Sequence, residues 1–161
     1  MSGARLIAGT GDSNVATGLP LLDHLLALLA RAGRFDLALE IDPGEPAAEV
    51  DAAGAALGTA VALLLPEGAH GEGTMPAAEA LAMVVVEASG KPLVAANADL
   101  TGAGGLGTDL AGRFVQALAD AAGLTVHVRL IEGEDTDHVL EAIFKALGVA
   151  LARAAIPQRG T

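Results

Sequence analysis

The chain repeats itself at an interval of about 90 residues, and no other feature of the sequence limits its possible folds as strongly. An offset of 89 residues lays residues 29–40 over residues 118–129. One extra residue then changes the offset to 90, which matches Leu57-Gly58 to Leu147-Gly148. Each copy reads as a helix, a strand, a short polar loop and a second helix. Because an internal repeat sets the architecture before any local signal does, the sequence predicts two similar halves.

The spacing of apolar residues predicts the elements of the first half. Leucines recur at helical spacing from Pro20, where proline is tolerated in the first turn, to Gly33, a residue type suited to a helix end. Apolar and polar residues alternate over residues 36–41, which predicts a half-buried strand, and a long helix then runs to about Leu65. The segment before the first helix predicts at most one short strand, at Leu6-Ile7-Ala8.

Three segments open the second half. The glycine-rich residues 66–74 are predicted to form a loop. Residues 81–87 and 93–100 are typical of strands, and Ser89-Gly90-Lys91-Pro92 is typical of a tight turn. The sequence therefore predicts an added hairpin made of these two strands.

The rest of the second half is predicted to be helix, strand and helix. Thr108 or Asp109 can cap a helix that Gly123 closes, and a strand containing His127 follows. The final helix runs to about Ala155, and three residues are candidates for its cap: Glu134, Asp135 and Thr136. Helices and strands thus interleave, which predicts an α/β or α+β sandwich.

Charge and hydropathy exclude several classes of protein. The formal net charge is −11, from 20 acidic and 9 basic residues, and aromatic residues make up 2 %. Nucleic-acid binding requires clustered Lys and Arg and benefits from aromatic rings, so it is not expected. The longest apolar run, residues 52–65, is shorter than the roughly 20 residues that cross a bilayer, so no membrane span is expected. With no cysteine and no visible signal sequence, the expected location is cytoplasmic.

Size and composition bear on domain and subunit organisation. A chain of 161 residues is expected to form a single domain over residues 1–161, with the first half at about residues 1–66 and the hairpin and second half at about 67–161. Apolar residues make up 52 % and charged residues 18 %, which is unusually apolar for the surface of a small monomer. Burial of the excess in subunit contacts is one explanation. A GC-rich coding sequence is the other, and composition does not choose between them.

The start of the last helix carries the strongest chemical signal. Asp137, Glu141 and Lys145 are spaced four residues apart on one face, and His138 lies three residues before Glu141. An imidazole and a carboxylate at this spacing suit Mn²⁺, Fe²⁺ or Zn²⁺. The alternative is that this helix start binds no metal. Its acidic residues would then interact with the helix dipole, and Glu141 would pair with Lys145. The spacing alone favours this alternative. The aligned helix one repeat earlier has two residues without ligand atoms and one carboxylate: Ala47, Ala48 and Asp51.

Other signals are weaker. Residues 102–107 fit the G-x-G-x-x-G pattern between a strand and a helix. The next strand, however, ends in Arg129 and Leu130 instead of the acidic residue that binds ribose, so no dinucleotide site is predicted. A histidine on the edge of an apolar stripe, such as His24, or within a strand, such as His127, is more often a packing or surface residue than a ligand.

Five segments in order along the chain resemble the imidazoleglycerol-phosphate dehydratase family. They are residues 17–26 (TGLPLLDHLL), 79–81 (EAL), 89–92 (SGKP), 124–129 (LTVHVR) and 133–146 (GEDTDHVLEAIFKA). Each is weak alone, but their combination is specific, and the resemblance runs from about Gly9 to the last residues. It implies an α+β fold of two pseudo-repeated βαβ-type halves, packed as a sandwich of sheets and helices and similar to ribosomal protein S5 domain 2.

The resemblance also implies an activity and an assembly. The family is a carbon–oxygen lyase of histidine biosynthesis that removes water from a small phosphorylated substrate. It forms a large homo-oligomer with two Mn²⁺ ions between subunits, and their eight ligands come from an L-D-H motif, a T-L-H strand and two H-H-x-x-E helices. The matching positions that keep a possible metal ligand are His24, Asp51, His127, Asp137, His138 and Glu141. The positions that match the family's phosphate-binding residues are Lys91, Lys145 and Arg159.

This chain departs from the family pattern at its metal ligands. Ala47 and Ala48 stand where the family has two histidines, and Asp51 and Asp137 replace a glutamate and a histidine. The family's catalytic glutamate lies on a strand that should end about where this chain begins, so no catalytic residue is assigned. Loss of a residue that orients a metal ligand already lowers metal affinity or activity by about 10–100-fold, and loss of the ligand itself costs more. Waters, or Glu45 or Glu49, are the substitutes open to the chain.

The expected function is a divergent dehydratase-like protein with weak or no activity. It would keep the family's fold and oligomeric assembly, alone or with an intact relative, and the lost ligands argue against Mn²⁺ as its cofactor. The alternative is an active Mn-dependent imidazoleglycerol-phosphate dehydratase. A third possibility, a binder of small phosphorylated molecules, rests only on Lys91 and Lys145.

Overall fold

Each half of the chain builds one sheet and two helices. The computed structural model describes residues 2–97 and 110–156. In chain order, the elements of this part of the chain are β1 (Gly3–Ala8), β2 (Ser13–Ala16), α1 (Pro20–Gly33), β3 (Phe35–Glu40), α2 (Pro46–Ala62), β4 (His70–Ala77), β5 (Ala80–Glu87), β6 (Leu93–Ala96), α3 (Leu110–Ala122), β7 (Thr125–Glu132) and α4 (Thr136–Ala155).

The two sheets share one topology. In the first, β3 is central, antiparallel to β1 and parallel to β2. In the second, β7 takes the place of β3, antiparallel to β5 and parallel to β6. Strand β4 adds to the outer edge of β5 in antiparallel orientation. The predicted α+β fold of two pseudo-repeated halves is therefore confirmed.

Helices fill the space between the sheets. Helices α1 and α2 pack on the first sheet, and α3 and α4 pack on the second. The helical layers then face each other, with α1 against α4 and α2 against α3. Buried leucines of α1 and the rings of Phe114 and Phe144, whose centroids are 5.3 Å apart, contribute to the core between the layers. This arrangement brings the starts of helices from different halves together.

Glycines set the distance between the helices in the same way in both helix pairs. Gly58 on α2 faces the carbonyl oxygen of Leu118 on α3, where an added Cβ would lie 2.6 Å away. Gly148 on α4 faces the carbonyl oxygen of Leu29 on α1, and a Cβ there would overlap it. The glycines are 90 residues apart and the leucines 89. The helix pairs α2·α3 and α1·α4 are therefore structural equivalents.

The end of α1 differs in detail from the prediction. Gly33 is not the residue whose conformation terminates the helix; it is the last helical residue, and Arg34 adopts the left-handed conformation with φ of 54°. Glycine is required at position 33 for packing, because a Cβ would lie 2.5 Å from the carbonyl oxygen of Gly148.

Two strands lie where the sequence predicts none. Residues 13–16 form β2, in addition to the one short strand expected near the start. The glycine-rich segment predicted as a loop contains β4 from His70 onward. A Cβ at Gly71 or Gly73 would overlap a carbonyl oxygen of α4, so these glycines allow the strand to lie directly against the helix. Their role is close packing rather than chain flexibility.

The predicted hairpin is also wrong. Strand β7 lies between β5 and β6, so the loop that contains residues 89–92 spans the width of a strand instead of closing a tight turn. The hairpin is formed by β4 and β5, which are joined at Ala78 and Glu79. Ala78 has a positive φ of 51° at this turn.

The remaining predicted elements are confirmed within the described residues: α1, β3, α2, β5, α3, β7 and α4. Asp135 is the cap of α4, and its side chain accepts a hydrogen bond from the N–H of His138. The G-x-G-x-x-G segment and both candidate caps of α3, Thr108 and Asp109, lie outside the described residues. Of the helices described, none has the length and apolar character needed to span a bilayer.

Candidate functional site

A histidine and a carboxylate from opposite halves of the chain meet near the start of α4. His24 lies in the second turn of α1, and Glu141 lies one turn after His138 on α4. Because α1 packs against α4, Nε2 of His24 comes within 3.3 Å of Oε2 of Glu141. The side chains are 52 % and 32 % exposed, so both are accessible to a ligand from solvent. The structure thus brings together two of the predicted ligand residues.

Glu79 anchors the third predicted ligand, His138. Nδ1 of His138 lies 2.5 Å from Oε1 of Glu79 at the β4–β5 turn. The other carboxylate oxygen, Oε2, accepts hydrogen bonds of 3.3 Å from the N–H groups of Glu134 and Asp135. A carboxylate that holds one imidazole nitrogen fixes the ring orientation and directs the other nitrogen outward, the arrangement common around metal-binding histidines.

The His138–Glu79 contact shifts the protonation of both groups. Hydrogen bonding from His138, supported by nearby backbone N–H groups, holds the pKa of Glu79 below its usual range. Hydrogen bonding to Glu79 raises the pKa of His138, with a further contribution from the charge of Asp135. Each group thus favours the charged form of the other, as expected for an acid and a base in contact.

Asp51 is engaged in a different interaction. Its carboxylate accepts two hydrogen bonds from Arg113 on α3, at 2.5 Å from Nη2 to Oδ2 and 3.2 Å from Nε to Oδ1. Both side chains are about half-exposed. A bidentate guanidinium–carboxylate pair is a strong and geometrically fixed contact. Asp51 is therefore bound to a cation that the protein itself supplies.

The two alanines lie in the first turn of α2, Ala47 half-buried and Ala48 exposed. Glu49, a proposed substitute ligand, is 7 % exposed, and its carboxylate packs against Gly18 before α1. Glu45, the other proposed substitute, is the cap position of α2.

Two predicted ligands occupy other environments. His127 is exposed on β7, in register with Val85 of β5 and Ala95 of β6. Asp137 is exposed in the first turn of α4. Over residues 2–97 and 110–156, no group of three His, Asp or Glu side chains is placed to hold a metal ion. The resemblance implies metal ions that lie between subunits, so a single chain would supply only part of each ligand set.

The two predicted phosphate-binding residues that the structure describes, Lys145 and Lys91, have different partners. Nζ of Lys145 donates a 2.6 Å hydrogen bond to the carbonyl oxygen of Pro76 on β4. Lys91 is exposed, and its backbone is held by Ser89 and Thr125 through hydrogen bonds of 3.1 Å. Arg159 lies outside the described residues. The structure thus gives Lys145 a tethering role beside the His138–Glu79 pair.

Sequence reasoning misses two residues of this region. Glu79 enters only as part of a short motif, and its contact with His138 joins residues 59 positions apart. Arg113 carries no motif of its own, although the 89-residue offset aligns it with His24. The repeat is therefore the available signal for Arg113, whereas Glu79 requires the tertiary structure.

Comparison with known proteins gives concordant matches. A model of the family described as imidazoleglycerol-phosphate dehydratase matches residues 17–151. Proteins of that name from Pelobacter propionicus and Acetivibrio thermocellus are each 38 % identical, over 155 and 157 residues, covering 90 % of this chain and 79 % of the relative. The crystal structure of the Staphylococcus aureus enzyme superposes with a TM-score of 0.82 at 30 % identity, covering 94 % of this chain and 91 % of the other. The Pyrococcus furiosus structure gives a TM-score of 0.81 at 28 % identity, covering 95 % and 92 %.

Proposed function

The chain belongs to the imidazoleglycerol-phosphate dehydratase family, and on this premise we propose that it is a divergent member with weak or no dehydratase activity. The observation that carries the proposal is the start of α2. Ala47 and Ala48 offer no ligand atoms there, and the one carboxylate at the aligned positions, Asp51, is bound to Arg113. The protein would retain the family's fold and its oligomeric assembly, alone or with an intact relative.

Three arguments support low activity. Methyl side chains cannot bind a metal ion, so substitutes must come from elsewhere in the chain or from water. Glu49 is buried against Gly18, which removes the nearest alternative carboxylate from solvent. Asp51 could act as a ligand only after its bidentate pair with Arg113 had been broken. Together these features disfavour the Mn²⁺-dependent chemistry expected of an intact family member.

A second candidate function is that of an active dehydratase of histidine biosynthesis. It is favoured by the His24–Glu141 and His138–Glu79 contacts, which leave the start of α4 organised for ligand binding. Identity of 38 % to proteins named imidazoleglycerol-phosphate dehydratase favours it too. In this case bound Mn²⁺ would stabilise the charge that develops on the substrate imidazole.

One experiment separates these functions. The protein is purified without chelators, its metal content is measured, and dehydration of imidazoleglycerol phosphate is assayed with added Mn²⁺. The Pelobacter propionicus relative, treated identically, is the control. We expect turnover about 100-fold or more below that of the control, because two direct ligands are absent. Loss of a single residue that orients a ligand already lowers metal affinity or activity by about 10–100-fold. Turnover within a few-fold of the control, with about one or more ions per chain, would establish the active dehydratase instead.

A further inference from the structure

The His24–Glu141 contact and the Arg113–Asp51 ion pair are equivalents under the internal repeat. The offset of 89 residues carries His24 to Arg113, and the offset of 90 carries Asp51 to Glu141. The His24–Glu141 pair therefore joins α1 to α4 at the position where the Arg113–Asp51 pair joins α3 to α2. At the α1·α4 crossing an imidazole lies opposite the carboxylate, and at the α2·α3 crossing a guanidinium does.

The surrounding frame is the same for both pairs. Glycine contacts bring α2 against α3 and α1 against α4 at aligned positions, through Gly58 on Leu118 and Gly148 on Leu29. The comparison is therefore between two side-chain pairs in equivalent helix crossings. The difference between them lies in chemistry, since a neutral imidazole can bind a metal ion whereas a guanidinium stays charged and carries no lone pair for one.

The charge of Arg113 acts directly on Asp51. Its two hydrogen bonds engage both carboxylate oxygens, and its positive charge lies 2.5 Å from Oδ2. A divalent cation approaching Asp51 would be repelled by this charge and would have to displace both hydrogen bonds. We propose that the guanidinium of Arg113 permanently takes the place of a divalent cation at Asp51 and excludes metal ions from the crossing of α2 and α3.

This inference rests on the proposed function, in which Ala47 and Ala48 occupy positions where histidine ligands have been lost. Loss of the histidines removed ligands, and Arg113 replaced the charge that a metal would have supplied. The carboxylate of Asp51 is thereby kept paired, and the crossing of α2 and α3 has a fixed positive charge that does not depend on metal supply.

Restoring the ligands with and without Arg113 tests the inference. In full-length protein, Ala47→His with Ala48→His places two imidazoles three and four residues before Asp51, on one helix face. A second variant adds Arg113→His, and a third adds Arg113→Gln in place of Arg113→His. A fourth, the matched control, adds Arg153→His, which removes a different arginine–carboxylate contact, that of Arg153 with Glu72. Binding of Co²⁺ alone is measured by equilibrium dialysis and by its visible absorption.

The expected result is specific to Arg113. The two-histidine variant and the Arg153 control should bind no more Co²⁺ than the parent protein. The Arg113→His variant should gain one ion per chain, with affinity higher by about tenfold or more than that of the two-histidine variant. Should it fail to fold, the Arg113→Gln variant tests the same charge removal without adding a ligand, and circular dichroism identifies the folded variants.

The outcomes are distinct from those of the activity assay. An additional ion bound while Arg113 is present would overturn the inference, and so would no gain in either folded Arg113 variant. High dehydratase turnover by the parent protein would overturn the proposed function, yet the binding comparison among variants would still report on Arg113.

Discussion

The carboxylate of Glu79 joins three parts of the molecule through two oxygen atoms. One oxygen contacts the imidazole of His138, and the other accepts hydrogen bonds from backbone N–H groups that precede α4. Because a carboxylate accepts hydrogen bonds, Nδ1 of His138 carries the proton. Lys145 supports the arrangement from the side, as it ties β4 to α4 at the carbonyl oxygen of Pro76. A single exposed carboxylate thus determines how the start of α4 is presented.

The protonation of His138 should depend on Glu79. The raised pKa of His138 means that the contact stabilises the folded state below the usual imidazole range and loses this effect as the pH rises through that pKa. The lowered pKa of Glu79 means that its contribution is present above the usual carboxyl range and disappears as the pH falls through its pKa. The contact should therefore stabilise the protein most in mildly acidic solution.

Nuclear magnetic resonance of the metal-free protein can measure this effect. We expect the titration midpoint of His138 to fall in Glu79→Gln, because the amide cannot supply a negative charge. The resonance of His70, on the opposite end of β4 from the turn, serves as the internal reference and should be unaffected by the substitution. An unchanged midpoint for His138 would show that the contact with Glu79 is not formed in solution.

Among the secondary-structure elements, β4 and α4 make a close backbone approach without a side chain between them. Gly71 and Gly73 face α4, and each would place a Cβ against a carbonyl oxygen of that helix. We expect Gly71→Ala to destabilise the protein by about 1–3 kcal/mol, the usual range for overpacking, since its obstacle is backbone and cannot rotate away.

A matched substitution separates packing from the general effect of alanine. Gly3 also lies in a strand, and an added Cβ there would have no neighbour within 4 Å. Gly3→Ala should therefore leave the midpoint of urea unfolding close to that of the parent protein, whereas Gly71→Ala should lower it. Equal midpoints for the two variants would mean that β4 does not lie directly against α4.

The elements that sequence alone predicts correctly are those whose pattern follows local geometry. Leucine spacing predicts α1, and the alternation of apolar and polar residues predicts β3. Strand β4 is not predicted because a glycine-rich sequence is typical of a loop. The packing of these glycines against α4 is visible only in the folded chain. The same holds for the site, since the sequence indicates His24 and Glu141 separately but not the helix crossing that brings them together.

For the whole molecule, the distribution of exposed apolar side chains bears on assembly. Large apolar side chains that are about half-exposed or more occur on several elements of the described structure: Ile7, Leu63, Leu93, Ile131 and Ile156. These are side chains that the subunit contacts of the proposed oligomer would remove from water.

The mass of the protein in solution tests this proposal. We expect one species of several times the chain mass of 15.9 kDa, unchanged over a wide range of protein concentration, by sedimentation or light scattering. The Pelobacter propionicus relative is the reference for an intact family member. A stable monomer would contradict the proposed assembly, and a mixed species formed only when both proteins are present would identify co-assembly with an intact relative.

The pairing of α1 with α4 has a consequence for synthesis of the chain. The apolar face of α1 is fully covered in the folded protein, and its neighbours include α4, the last described helix to be translated. Leu22, Leu25 and Leu29 therefore emerge from the ribosome before α4 can cover them. The nascent first half has an exposed apolar surface during this time. The core around α1 can therefore be completed only after α4 has been synthesised, so the first half should finish folding late.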